Sequence, residues 1–535
     1  MNVSLLRRLW LTTLVATLVP AARADVVPNS LFTDHAVLQR EKPILIWGTS
    51  DPGEQVRVSL TNETGTTAAG QANADGRWMI ELPSLPAGGP YTLSVEGKNK
   101  IQFKDVLIGE VWICSGQSNM VMQLRNTFEA NKAAAAAVNP KLRLFTVAEA
   151  TAMGPLDKVK GEWKECSPET APAFSAVGYY FGRDLQKELG VPVGLIHTSW
   201  GGTPAQAWTS KDGLESVPAL RHYQADLARR LESYDPAKAK EQYAAALKKY
   251  EQAQAEYKEA VAKAKDEGTP TPQAPRRPQQ PTAPDKSPNS ASTLYNGMIA
   301  PLIPYGIRGA IWYQGESNAG QAYEYRTLFT TMIQDWRAHW KQGDFPFLCV
   351  QLAPFKKIED TPTESDWAEL REAQLLATKT LSKVGMAVIT DVGEENDIHP
   401  KKKEPAGARL ALLARKLAYG QDIISMGPVF KKMRSEGNRA VLSFDNVGAG
   451  LECRGPKLTG FTIAGSDRKF YPADALIQGE TVIVSCPDVE RPAAVRFGWA
   501  NYPVVNLWNK DGLPATPFRT DTWPGVTQKE QAARK

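Results

Sequence analysis

Cysteine and histidine are both scarce in this chain of 535 residues, with five of each. The cysteines (Cys114, Cys166, Cys349, Cys453 and Cys486) are odd in number and far apart, which excludes a disulfide framework as the basis of the fold. Cys453 and Cys486 share one strand-rich region and are open either to pairing or to separate burial as small apolar groups. No C-x-x-C, H-E-x-x-H or acidic calcium loop occurs, so no metal or other cofactor is expected and catalysis falls to side chains. Long apolar runs are lacking too. Leu9–Pro20 is shorter than the ~20 residues a membrane-spanning helix requires. It lies between Arg7-Arg8 and Ala22-Arg23-Ala24, the pattern of an export signal cleaved before Asp25. The expected product is periplasmic or extracellular and has no membrane anchor. An excess of one charge is also missing, with 63 Lys plus Arg against 58 Asp plus Glu. With no basic stripe among aromatics, a nucleic-acid partner is excluded, and Lys401-Lys402-Lys403 reads as a solvated turn.

What is present is length and alternating pattern, enough for two or three units with sizeable cores. From 25 to 105, short alternations such as Ile44–Trp47, Val56–Leu60 and Trp78–Leu82 are broken by Asp51-Pro-Gly53 and Asp75-Gly76, the spacing of a small β-sandwich. From 106 to 425 the pattern changes. Apolar runs at Val106–Ile113, Val193–Ile196, Gly309–Trp312, Phe347–Val350 and Met386–Ile389 alternate with helical stretches at Ser175–Leu189, Tyr323–Trp340 and Trp367–Leu381. That rhythm predicts an α/β fold, a parallel sheet with helices on both faces and its site beyond the carboxyl ends of the strands. An insertion from 220 to 290 interrupts it. Pro236–Gly268 has Tyr243, Tyr250 and Tyr257 seven apart, a helical seam expected to pack on a neighbour, and Thr269–Asn289 carries seven prolines, an extended linker. Alternation returns from 426 to 525 as a β-rich unit, and 526–535 reads as a disordered tail.

The chemistry sits at strand ends. Ile113 runs into Cys114-Ser-Gly-Gln-Ser118-Asn119-Met120, Ile196 into His197-Thr-Ser-Trp200-Gly201-Gly202-Thr, Trp312 into Tyr-Gln314-Gly-Glu316-Ser-Asn318, and Ile389 into Thr-Asp391-Val-Gly-Glu394-Glu395-Asn396-Asp397-Ile-His399. A serine after glycine at such a break is often only a turn or helix cap. Four polar, glycine-rich loops at successive strand ends are not required by packing, whereas acyl transfer needs a nucleophile, a base and oxyanion donors from just such edges. Of the histidines, only His399 joins a strand-end position to a loop of partners. His197 reads as a core or rim residue.

These four blocks, in this order, resemble the SGNH hydrolases, and among them the sialate O-acetylesterase and related carbohydrate acetylesterases. The resemblance spans the middle of the chain and extends to Phe497–Pro503 and Asn509–Pro514. It implies a flavodoxin-like parallel sheet flanked by β-sandwich-like units, an acetylated carbohydrate as substrate, and Ser118 as nucleophile with its own N–H in the oxyanion hole. Gly202, with Gly201 as the near alternative, matches the second block. Gln314 matches the third as oxyanion donor, with Asn318 in reserve, and His399 matches the base. The family pattern Asp-x-x-His is not kept, since Asn396 stands three before His399. The imidazole partner is therefore Asp397, Asp391 or a backbone carbonyl, in that order. Asn119, Trp200, Glu316 and Asn318 are assigned to the substrate side of the site, Glu316 as a brace for loop backbone. Two rivals stand beside this reading: a carboxylate-pair glycosidase using Glu316, and a non-catalytic carbohydrate-binding protein.

Overall fold

The apolar run beginning at Val106 belongs to a longer strand, β1 (Lys100–Gly116). Residues 100–105 alternate between exposed and partly buried, and every residue from 106 to 116 is buried. The strand thus passes from a sheet with one wet face into one covered on both. The computed structural model that shows this describes residues 25–63 and 65–534, so the export-signal reading of residues 1–24 lies outside it.

The buried half of β1 centres a parallel sheet with β2 (Asn139–Thr146), β3 (Val193–Ser199), β4 (Gly309–Tyr313), β5 (Phe347–Val350) and β6 (Val384–Ala387), in the order β2-β3-β1-β4-β5-β6. Alternate residues of β1 enter different cores. Val111 and Ile113 pack with the helices Ala322–Trp340 and Asp366–Thr380, while Trp112 and Cys114 pack with Ala176–Leu189 and Glu404–Leu417. Because successive side chains of a strand point to opposite faces, helices cover both sides of the sheet. Ser175 and Ser365 cap two of these helices, accepting from Gly178 N at 3.2 Å and Ala368 N at 3.0 Å. Serine before an apolar-periodic run is a legible start signal, and the predicted helices fall within one residue of those observed.

β2 escaped the sequence reading because a charge interrupts it. Arg143 is 3% exposed, and its guanidinium is satisfied by Asp105 at 2.6 Å. β6 begins two residues earlier than expected, at Val384.

The boundary placed at 105/106 falls inside β1. Its first half pairs antiparallel with Gly88–Glu96, and next to Val106 it pairs in parallel with Val37–Gln39. Two N-terminal sheets and one face of the central sheet share a single apolar cluster. Beneath the junction the wholly buried Glu110 accepts from Arg40, Gln39 and Arg308, so that charge is fully paired.

In the insertion, Asp235 caps the 32-residue helix Pro236–Glu267, and Gly268 ends it at φ 65°. The tyrosine seam is half-buried, and among the described side chains of this helix only Ala264 is fully buried. At 1.5 Å per residue the helix extends about 48 Å. Ser290 is buried again and Ser292 N donates to Gln206 O, so the chain must return over that distance. Pro272, Pro275, Pro278, Pro281 and Pro284 fall three apart, the repeat of a polyproline II helix. Residues 269–284 cover about 50 Å in that form, matching the outward run.

Strands Val429–Glu436 to Phe518–Arg519 build the C-terminal sheets around a third core. They are tied to the central domain by Arg371. This residue is 1% exposed and donates to the carbonyls of Leu352, Ala353, Ala500 and Asn501. The final segment, expected to be disordered, is a helix, Val526–Arg534, whose first turn is held by Glu369 through Val526 N, Thr527 N and Thr527 Oγ1. A buried carboxylate receiving those donors supplies the anchor that composition did not reveal. Cys453 and Cys486 are unpaired, as are the other three cysteines. No helix among the described residues is long and apolar enough to cross a membrane.

Candidate active site

β3, β1 and β4 end together, with Gly116 opposite Ser199 on one side and Tyr313 on the other. Gly116 has φ 137°, and a Cβ there would lie 2.2 Å from Tyr313 O, so only glycine allows the strand to break at this point. Gln117 N then donates to Tyr313 O at 2.9 Å, and Ser118 opens the short helix Ser118–Val121. The serine is half-buried with its hydroxyl turned toward the loop that follows β6. His399 reaches it from that loop, with Nε2 lying 2.8 Å from Ser118 Oγ.

Of the three possible imidazole partners, only Asp397 is adjacent. Its Oδ1 accepts from His399 N at 2.9 Å and lies 3.4 Å from Nδ1. Asp391 instead meets Arg409 in a bidentate pair at 2.6 and 2.9 Å. With a carboxylate facing Nδ1, the proton belongs there and Nε2 is left with a lone pair toward the serine. Partial burial lowers the His399 pKa below its ordinary 6.5, and the Lys403 cation adds to that effect while Asp397 opposes it. That direction favours the neutral imidazole a general base requires.

The loops around Ser118 are packed closely against one another. A Cβ built on Gly201 would touch Ser118 Cβ at 3.5 Å, whereas the same position on Gly202, at φ 72°, faces open space. Gly201 is thus the glycine against the nucleophile. Gln314 is wholly buried and its amide protons are taken, by Asn318 Oδ1 at 2.6 Å and Thr203 O at 3.3 Å, while Oε1 accepts from Tyr325. Asn318 Oδ1 accepts from Ala205 N, and its Nδ2 gives one proton to Gln206 Oε1. Buried amides have to be paired, and closing these loops takes both donors of Gln314 and one of Asn318.

Asn119 is also a loop brace rather than a substrate contact. It is wholly buried, and its Nδ2 donates to Glu316 Oε1 at 2.6 Å and to Ile398 O at 3.1 Å. Glu316 receives that bond with one oxygen and has the other enclosed, and burial raises its carboxyl above the usual range. Trp200 remains partly exposed beside the site. Trp312, in β4, and Trp208, in the segment after β3, are buried and packed edge to face. His197 is 8% exposed, bonded to Ser199 Oγ and pushed by burial down to about 4.

Comparison with known proteins agrees with this arrangement. A family model described as carbohydrate esterase, sialic acid-specific acetylesterase, matches residues 286–412. The human sialate O-acetylesterase is 27% identical over 548 residues, covering 93% of each chain. The rat sialate O-acetylesterase is 29% identical, covering 91% of this chain and 93% of its own. The crystal structure of a carbohydrate acetylesterase from Xanthomonas citri is 38% identical, with a TM-score of 0.77, over 93% of this chain and 100% of that one. This chain belongs to the sialate O-acetylesterase and carbohydrate acetylesterase family. It is a carboxylic ester hydrolase.

Two features of this esterase were not legible as functional. Lys403, the end of the run read as a solvated turn, is 2% exposed and bonds Asn119 Oδ1, while Lys401 and Lys402 are exposed. Tyr502, in the C-terminal unit, donates to Gly393 O at 3.0 Å and so steadies the loop that carries His399. One cluster of possible metal ligands occurs among the described residues: His35, Asp105 and Glu165. Arg143 already pairs with both of its carboxylates, and Asp105 lies on the order of 35 Å down β1 from Gly116.

Proposed function

We propose that this esterase removes O-acetyl groups from sialic acid or a related acetylated carbohydrate through an acyl-enzyme on Ser118. The observation that carries the reading is the 2.8 Å approach of His399 Nε2 to Ser118 Oγ. His399 takes the hydroxyl proton as Oγ attacks the acetyl carbonyl. The oxyanion faces the backbone N–H of Ser118 and those of the Gly201-Gly202 turn. Collapse expels the sugar hydroxyl with the proton from His399, and water then releases acetate by the same steps in reverse. The order β3-β1-β4-β5-β6 is the 2-1-3-4-5 arrangement of flavodoxin-like sheets and supports an SGNH core with β2 outside it. The flanking β units would then serve for glycan contact. With the export-signal pattern read at Arg7–Ala24, we infer that the enzyme acts in the periplasm or outside the cell.

Acetate release from a panel of acetylated sialic acids and acetylated xylan tests this directly, combined with labelling by a phosphonylating serine reagent. Release from at least one substrate and stoichiometric modification of Ser118 are expected. Glycan binding without any acetate release would favour the non-catalytic rival.

The base predicts the pH profile. Neutral His399 is required, so kcat/KM should rise with pH along an acid limb whose midpoint lies below pH 6.5, following the lowered pKa. Asp397 raises that pKa through its charge, so Asp397→Asn should move the acid limb to lower pH. Its side chain is 43% exposed and its contact with Nδ1 is long, so the loss in kcat should be about 10- to 100-fold, less than for a buried triad aspartate. A limb that moves upward in this variant would remove Asp397 from the role.

A further inference from the structure

Lys403 is a buried cation bonded to the residue after Ser118, and the mechanism above makes no use of it. It is 2% exposed, at the start of the helix Glu404–Leu417. Its ammonium lies 5.2 Å from the centre of the Tyr313 ring and donates to Asn119 Oδ1. On the other side of the same amide, Asn119 Nδ2 donates to Glu316 Oε1 and to Ile398 O. An asparagine amide held between a cation and a carboxylate has one favourable orientation, oxygen toward the ammonium and NH2 toward the carboxylate. Flipping it would set NH2 against ammonium and oxygen against carboxylate. In the held orientation the second amide proton points at Ile398 O, the carbonyl immediately before His399.

We propose that Lys403 is a positioning residue of the reaction: by fixing the Asn119 amide from one side, with Glu316 fixing it from the other, it clamps the His399 loop to the nucleophile turn. The inference rests on the Ser118–His399 reading. Groups from every element around it enter the balance: Asn119 after β1, Tyr313 and Glu316 after β4, and Glu394, Asp397 and His399 in the loop after β6. Burial lowers the Lys403 amine to about 7, against the pull of Glu316, Asp397 and Glu394. The Lys403 charge in turn lowers His399. Below about pH 7, where it is charged, Lys403 therefore both places the base and helps keep it unprotonated.

The test is Lys403→Met, read as kcat, KM and pH profile per titrated active serine. Lys403 does not reach substrate, so KM should hold within about twofold while kcat falls about 10- to 100-fold. With the cation gone, the acid limb should move to higher pH, opposite to Asp397→Asn. The single variant leaves Glu316 buried without its counter-charge, so Lys403→Met/Glu316→Gln is made in parallel. It keeps the interior neutral and an acceptor for Asn119 Nδ2, and the same lowered kcat and raised limb are expected. A folded variant with wild-type kcat and limb would overturn the proposal. So would a lowered kcat with an unmoved limb, since that is what loss of packing alone produces. Failure of both variants to fold would make Lys403 a core residue and equally count against it. If Ser118→Ala proves inactive while these variants behave as wild type, the clamp alone falls. If Ser118→Ala stays active, the underlying reading falls with it.

Discussion

Ser118→Ala is expected to lower kcat/KM for a small acetyl ester by about 10⁴-fold or more, equivalent to about 5.5 kcal/mol of transition-state stabilisation. The reasoning is local. The hydroxyl lies within reach of the His399 base at the mouth of the sheet, 2.8 Å from its Nε2. Removing it therefore abolishes the covalent route while disturbing little else. The variant should keep its Tm within a few degrees, because a half-buried serine oxygen with one partner contributes on the order of 1 kcal/mol. Activity above about one per cent of wild type in a correctly folded Ser118→Ala would transfer the nucleophile's role to another group.

The second large effect is at the base. His399→Gln keeps a polar side chain of similar reach but has no lone pair basic enough to accept the serine proton. The expected loss in kcat is about 10³- to 10⁴-fold. The double variant Ser118→Ala/His399→Gln should be no worse than Ser118→Ala alone, because the two groups act as one unit and the second loss has nothing left to remove. Multiplying losses would mean that His399 works independently of Ser118, and the paired mechanism would have to be given up.

The parts of this site that the sequence made legible are those set by short-range rules. Gly116 permits a backbone conformation closed to other residues, so a serine two positions later at a strand end could be read as a nucleophile. Helix starts followed from Ser175 and Ser365. What escaped depends on which amide proton goes where in three dimensions. Gln314, Asn318 and Asn119 are amides of the right type in the right loops, and sequence order gave no way to know that each is tied to a neighbouring loop, Gln314 through Thr203, Asn318 through Ala205 and Gln206, and Asn119 through Ile398. Gly201 and Gly202 are indistinguishable by type, and only the path of the turn against Ser118 separates them. Lys403 was hidden for the opposite reason: two exposed lysines before it made a charge run look solvated, and its partners lie 284 and 87 positions away in Asn119 and Glu316. The same holds for β2, where a buried arginine with a remote carboxylate partner masked an interior strand.

The long strand that ends beside the nucleophile has a mechanical meaning. Hydrogen-bond ladders grip it on either side of Val106, so it behaves as a beam cast through two rooms rather than a hinge between them. Any swing of the N-terminal sheets relative to the catalytic sheet would have to shear one ladder or the other. The serine is therefore surveyed from a fixed datum, and whatever freedom a substrate needs on entry falls instead to the loops at the rim.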